Sequence, residues 1–297
     1  MPSAKTPAFT TLPRETSDEA ILEAFDRDGA VIISNVLSET SINVILKELN
    51  LDPTDTSEQC VTALASKSPT IVNEVLLSSQ LNRLLTARMS KTTTIWHGEE
   101  LLTNTSRPYL SATVVFEAAP GKAAQPLHRH DDIYFVDHPL DIPVEIWALI
   151  ALDDSGVGEG GSMIDGILES HKWGEEWDPA GHSLASSSMK RGDCFLLHGS
   201  MIHRGGENTD SSLRRTLGVS WAQGHMRQEE NQFLNVSKEI TMRLDEKTQR
   251  LIGYRMNAPF GGWYELRDPI TYLQPEDKVD KTMRDFLEEE IEGQNVV

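Results

Sequence analysis

The sequence predicts an α+β fold, on the strength of two segregated patterns and one compositional fact. Apolar residues recur at helical spacing through the first ninety or so positions, and from Tyr109 onward they gather into short runs of the kind found in strands. Hydrophobic residues make up 38% of the 297 and charged residues 25%, so the chain carries enough apolar side chain to bury a core and is not of the charge-rich disordered type. Helices first and strands afterwards are the mark of α+β organisation.

Taken in order, residues 1–15 are polar and Pro-containing and read as a loose arm. A first helix begins near Thr16, which stands three residues before Glu19 in capping-box spacing; Ile21, Leu22 and Phe25 form its stripe and Gly29 ends it. Ala30–Asn35 is a short buried strand, and Ser38 caps a second helix with Ile42, Ile45, Leu46 and Leu49 on one face. Residues 50–65 look irregular, and a Leu-rich helix follows over Val72–Met89. The runs YLSATVVFEA, VEIWALIAL, DCFLL and TLGVSWA are strands, separated by Gly, Pro and Asp turns. The body over 16–275 is one domain, and 276–297 is an acidic tail in which Met283, Phe286, Leu287 and Ile291 can line one helical face.

Charge narrows the partners. A formal net charge of −19 repels phosphate backbones and anionic membrane surfaces, so neither nucleic acid nor membrane is expected. The N-terminus lacks the apolar core of a secretory signal and no run approaches the ~20 residues of a membrane span, which points to the cytosol. Cys60 and Cys194 are far apart and read as ordinary buried thiols.

Chemistry concentrates in Gln125-Pro-Leu-His128-Arg-His130-Asp131-Asp132. On a regular strand His128, His130 and Asp132 share a face, roughly 6–7 Å apart at the backbone, close enough for two of them to chelate one ion. A further ligand must come from elsewhere, and His203, after the strand DCFLL, is the candidate. Two His and a carboxylate on one side of iron(II) leave positions open for cosubstrate and O₂. A lone His is most often an ordinary hydrogen-bonding residue, but here a cluster is followed by a distal His and then by Arg214 and Arg215, either of which can pair bidentately with a carboxylate. His97, His138, His182, His198 and His225 are expected to have no metal role. Trp96, Tyr109, Phe135, Trp221 and Trp263 are candidates to line a pocket, although such residues are more often core or interface.

The segments FDRDGAVIISNVLS, QPLHR, GG…SHKW and IHRGGEN…RRT, in this order, resemble the fungal phytanoyl-CoA-dioxygenase-like oxygenases of terpenoid, meroterpenoid and alkaloid biosynthesis. The likeness runs from about residue 20 to 265. It implies a double-stranded β-helix, or jelly roll, flanked by N- and C-terminal helices, with Fe(II) and 2-oxoglutarate as cofactors. It places Gln125 near the cosubstrate, His128 and His203 on the metal, and Arg214 or Arg215 on the 2-oxoglutarate carboxylate. The family pattern His-Arg-Asp-Asp departs here to His128-Arg129-His130-Asp131, so the third ligand is His130, Asp131 through a bulge, or Asp132 in a shifted register. No Arg stands near Lys67-Ser-Pro-Thr70, Ile164 stands where a Thr is expected, and Leu168-Glu169 replace a Pro-Gly turn. These losses imply a degenerate subunit that stabilises an active paralogue as a heterodimer; the alternative is an active dioxygenase that hydroxylates, desaturates or rearranges a hydrophobic small molecule, and the partner is then a paralogue or a second copy of this chain.

Overall fold

The computed structural model describes residues 7–52, 58, 60–154, 162–176, 178 and 181–275. Twelve strands are present among them: β1 (Thr11–Pro13), β2 (Ala30–Ser34), β3 (Val61–Thr62), β4 (Lys91–His97), β5 (Glu100–Ser106), β6 (Tyr109–Ala118), β7 (Glu145–Ala151), β8 (Ile164–Gly166), β9 (Ala185–Ser186), β10 (Cys194–His198), β11 (His203–Gly205) and β12 (Arg214–Ala222). Seven form a large sheet in the order β1-β2-β10-β7-β12-β6-β3, antiparallel except for β1 on β2. A small sheet, β11-β8-β9, faces it, and β4-β5 is a separate hairpin.

Side-chain alternation along the large sheet sorts its residues into two cores. Ile146, Ala148 and Ile150 of β7 and Leu217, Val219 and Trp221 of β12 face outward, where helices α1 (Asp18–Asp28), α2 (Glu39–Glu48) and α5 (Ser79–Met89) bury Ile21, Phe25, Ile42, Ile45 and Leu84 against them. Trp147, Leu149, Phe195 and Leu197 face inward and pack with Met163, Ile164 and Met201 near the small sheet. Two facing sheets with helices covering the outer side make the α+β jelly roll, so the expected fold class holds.

Local differences have physical causes. The N-cap of α1 is Ser17, whose Oγ accepts from Ala20 N at 3.3 Å, not Thr16. Residues 11–13, inside the expected loose arm, add β1 to the exposed edge of β2. The single helix expected over 72–89 is divided: a short helix α4 (Pro69–Ile71, after α3 at Leu64–Lys67) runs into a π-helical turn at Val72–Leu76, and Ser78 then caps α5 by accepting from Leu81 N. Cys194 is buried as expected, whereas Cys60 is exposed. The C-terminal amphipathic segment lies outside the described residues.

Candidate metal site and adjoining pocket

The segment 125–128 lies beside β11 as an added antiparallel rung. His128 and His203 exchange backbone hydrogen bonds at 2.9 and 3.0 Å, and Gln125 N donates to Gly205 O at 2.9 Å. This pairing brings residues 75 positions apart in sequence side by side. The His128 and His203 ring centroids are 4.7 Å apart, His130 and His203 are 4.7 Å apart with nearly parallel planes, and His128 and His130 are 5.3 Å apart. One ring nitrogen from each of the three falls within 4.8 Å of the others.

The tautomers are set by backbone carbonyls. His128 Nδ1 donates to Pro126 O at 2.9 Å and His203 Nδ1 donates to Met201 O at 2.8 Å, which leaves each Nε2 as a lone-pair donor. Burial pulls the His203 pKa down to about 3 and holds His130 well below the usual imidazole range, with neighbouring imidazoles adding to both shifts. Neutral imidazole is the form that binds a metal, so the trio is a competent donor set for a divalent transition-metal ion.

Asp132 does not join it. The extended backbone stops at His130, whose N–H donates to Gly199 O, and Asp131–Tyr134 turn into a 3₁₀ segment. The period-two alternation that would have aligned Asp132 with the histidines ends there, and Asp132 is exposed. Asp131 points away as well: it is fully buried, with Oδ1 3.0 Å from His138 Nε2 and Oδ2 accepting from Ser200 Oγ at 2.5 Å. His138 in turn meets Glu175 Oε1 through Nδ1 at 2.6 Å, and Arg129, also facing away, donates to Trp173 O. These contacts clamp the chain behind His130, and among the described residues no carboxylate accompanies the three rings.

The arginines separate by strand face. Arg215 lies on the outer face of β12, buried in a 2.6 Å pair with Glu117 and donating to Asp52 O, and this removes it as a cosubstrate ligand. Arg214 lies on the inner face, where three of its five N–H groups go to the carbonyls of Ser162, Gly206 and Glu207. Gln125 is exposed, and its Oε1 accepts from Gly205 N at 2.9 Å, so its amide braces the rung that aligns the histidines.

The expected pocket aromatics are elsewhere: Trp96 and Phe135 are exposed, and Trp221 is buried in the helix-side core. Sequence reasoning missed Trp147 and Glu145. The Trp147 ring is 4.7 Å from His130 and lines a cavity of about 320 Å³ together with Ala112, Val114, Phe116 and Glu229. Glu145 lies two residues earlier on the same face, fully buried, and accepts from Tyr134 OH at 3.3 Å. Burial first, then the negative charge of Glu229, pushes its pKa up to about 8. A signal was available: Glu145 is the one charged residue in the apolar run 144–152.

A jelly roll with three imidazoles converging between its sheets belongs, as a class, with the metal-centred double-stranded β-helix proteins. Solved structures agree on the fold: the α-ketoglutarate-dependent carbocyclase SnoK from nogalamycin biosynthesis superposes with a TM-score of 0.52 at 19% identity over 71% of this chain and 86% of its own. HygX from Streptomyces hygroscopicus, solved with nickel and 2-oxoglutarate bound, gives 0.54 at 16% over 72% and 90%. Residues 25–216, well over half of the chain, match the family described as Phytanoyl-CoA dioxygenase (PhyH), and the chain belongs to it. Similar curated proteins include the dioxygenase swnH2 of Arthroderma benhamiae, 28% identical over 88% of both chains. The iron/alpha-ketoglutarate-dependent dioxygenase ausU of Aspergillus calidoustus is 24% identical over 82% of this chain and 84% of its own. Among the described residues no helix is long and apolar enough to cross a membrane.

Proposed function

We propose that this chain is an iron(II)- and 2-oxoglutarate-dependent dioxygenase of fungal secondary metabolism that holds its metal through His128, His130 and His203. The observation that carries the reading is the convergence of three imidazole nitrogens within 4.8 Å, with two tautomers fixed so that Nε2 is available. Arg214, on the inner face of β12, has two N–H groups without a partner among the described residues, and these are offered to a carboxylate end of the cosubstrate. The metal, when bound, supplies the O₂ chemistry. The chain's part is to fix the imidazoles, bind the dicarboxylate through Arg214 and seat an organic substrate in the cavity beside Trp147.

A second reading, a stabilising partner without turnover of its own, draws support from the missing carboxylate and from the carbonyls that already engage Arg214. The partner, a paralogous chain or a second copy, would meet the hairpin β4-β5, where Trp96 is 72% exposed and Leu101 56%. Purified full-length protein distinguishes the two. Stoichiometric iron, lost in His128→Ala and His203→Ala, with succinate formed from 2-oxoglutarate, is the expected result. Iron without succinate would favour the partner reading, and the absence of both would remove the metal assignment.

A further inference from the structure

The cavity beside Trp147 has a chemical bias. Its apolar wall is Ala112, Val114, Phe116 and Trp147, and its polar side is Thr62, Thr113, Glu229, Glu230 and Asn235. Glu229 carries no hydrogen bond on its carboxylate among the described residues, and it is exposed at the cavity mouth. Neighbouring Glu230 differs: its carboxylate accepts from Ala63 N, Thr113 N, Thr113 Oγ1, Gln232 Nε2 and Asn235 Nδ2, and is a structural brace. On the cavity-lining face of β7, fully buried Glu145 takes hydrogen bonds from Tyr134 and from Trp147 and Ser220, so its carboxyl is held in the wall behind the cavity. Among the described residues, Glu229 and Asp131 place negative charge near Glu145, and Glu230 does so near Glu229.

Two aromatic faces accompany these acids. The Phe116 and Trp147 rings stand 6.1 Å apart at 44°. Gly218 of β12 makes this approach possible: a Cβ there would lie 2.7 Å from Phe116 Cε2 and 3.1 Å from Trp147 Cζ3. Two aromatic rings and a carboxylate lining one cavity have the donor set that holds an alkylammonium ion, through cation–π attraction and ion pairing together.

We propose that this pocket selects an organic substrate carrying a protonated or quaternary amine, lying against Phe116 and Trp147 and paired with Glu229, so that its apolar body reaches the histidine site across the Trp147–His130 contact. The dioxygenase reading is needed only to call the occupant a substrate; the pocket's preference for a cation stands on its own. The overall charge of −19 acts in the same direction by concentrating cations near the surface.

The test is binding by the metal-free full chain at neutral pH and low salt. Benzyltrimethylammonium is compared with its neutral isostere neopentylbenzene and with phenylacetate by NMR titration. The cation should bind about tenfold or more tighter than the isostere, and phenylacetate weakest. Glu229→Gln should abolish most of that preference, Glu229→Asp should keep it, and Phe116→Leu should weaken the cation more than the isostere. Equal binding of cation and isostere, no binding of the cation at millimolar concentration, or an undiminished preference in Glu229→Gln would overturn the proposal. Iron content and succinate formation, measured separately, report on the dioxygenase reading and do not depend on these outcomes.

Discussion

At position 130 a histidine occupies the place where the family's pattern carries an acid, and its ring is stacked on His203 at 4.7 Å. Three neutral imidazoles leave both positive charges of a bound dication unneutralised, whereas a carboxylate would cancel one. His130→Asp is therefore expected to raise affinity for Fe(II) or Mn(II) by roughly tenfold, and His130→Ala to lower it by a comparable or larger factor. Equilibrium competition against a metal chelator measures both, and an unchanged affinity in His130→Asp would mean that the ring does not reach the metal. A second residue-scale expectation concerns Glu169. It replaces the glycine of the family's turn, yet the backbone keeps the glycine conformation, φ +65° and ψ 1°, with its N–H on Asp28 O at 2.9 Å. A side chain in that region costs about 1 kcal/mol, so Glu169→Gly should be neutral to stabilising by up to about 1 kcal/mol in urea unfolding. A loss of stability would show that the Glu169 side chain contributes more than its backbone strain costs.

Among the elements, the end of α1 is the tightest joint. Gly29 closes the helix at φ +86°, its N–H on Phe25 O, and its carbonyl accepts from His198 N of β10. A Cβ at Gly29 would lie 2.5 Å from His171 Nδ1, so helix, sheet and the 170–172 turn meet with no room for a methyl group. Gly29→Ala should cost about 2–3 kcal/mol, the sum of left-handed strain and overpacking. Adding His171→Ala should recover the overpacking part, and a double-mutant cycle by thermal or urea unfolding isolates it. Strict additivity would place the cost entirely in the backbone. The same elements show what was legible beforehand. Helix α2 follows from apolar periodicity because it has one face in a core, and the long inner strands follow from near-continuous apolar runs because each lies between the two cores. The hairpin β4-β5 was invisible because it packs against neither core and carries no alternation, its residues being mostly exposed. His128, His130 and His203 were legible as chemistry, but the departure of Asp132 was not: a single turn of 3₁₀ helix, held by Gly199 O, leaves no mark in residue spacing. Whether Arg214 or Arg215 faces inward was undecidable from two adjacent arginines until the register of β12 against β6 was fixed.

For the whole molecule, the buried titratable groups set how stability varies with pH in the metal-free chain. His198, packed against Phe25 and accepting from Ser200 N through Nδ1, and His203 are both pushed down to about 3 by burial. Between pH 3 and 6.5 the unfolded chain binds protons at these two positions that the native chain refuses, so stability falls as the solution is acidified through that window. Glu145 acts in the opposite direction. Its native pKa, raised to about 8 by burial and by Glu229, means that between pH 4.5 and 8 the native chain keeps a proton the unfolded chain has released. Stability therefore falls as pH rises toward 8 and is flat above it with respect to this group. The two trends offset each other near the ordinary histidine pKa of 6.5, which is the expected maximum. Glu145→Gln removes the alkaline limb, and its advantage over the parent chain should grow between pH 6.5 and 8 by on the order of 2 kcal/mol. Thermal or urea unfolding of both proteins in chelator across pH 4–9 reads the difference directly. Parallel curves above pH 6 would mean that the Glu145 carboxyl ionises in the native state as it does in the unfolded chain, and that the inner face of β7 is wetter than its burial implies.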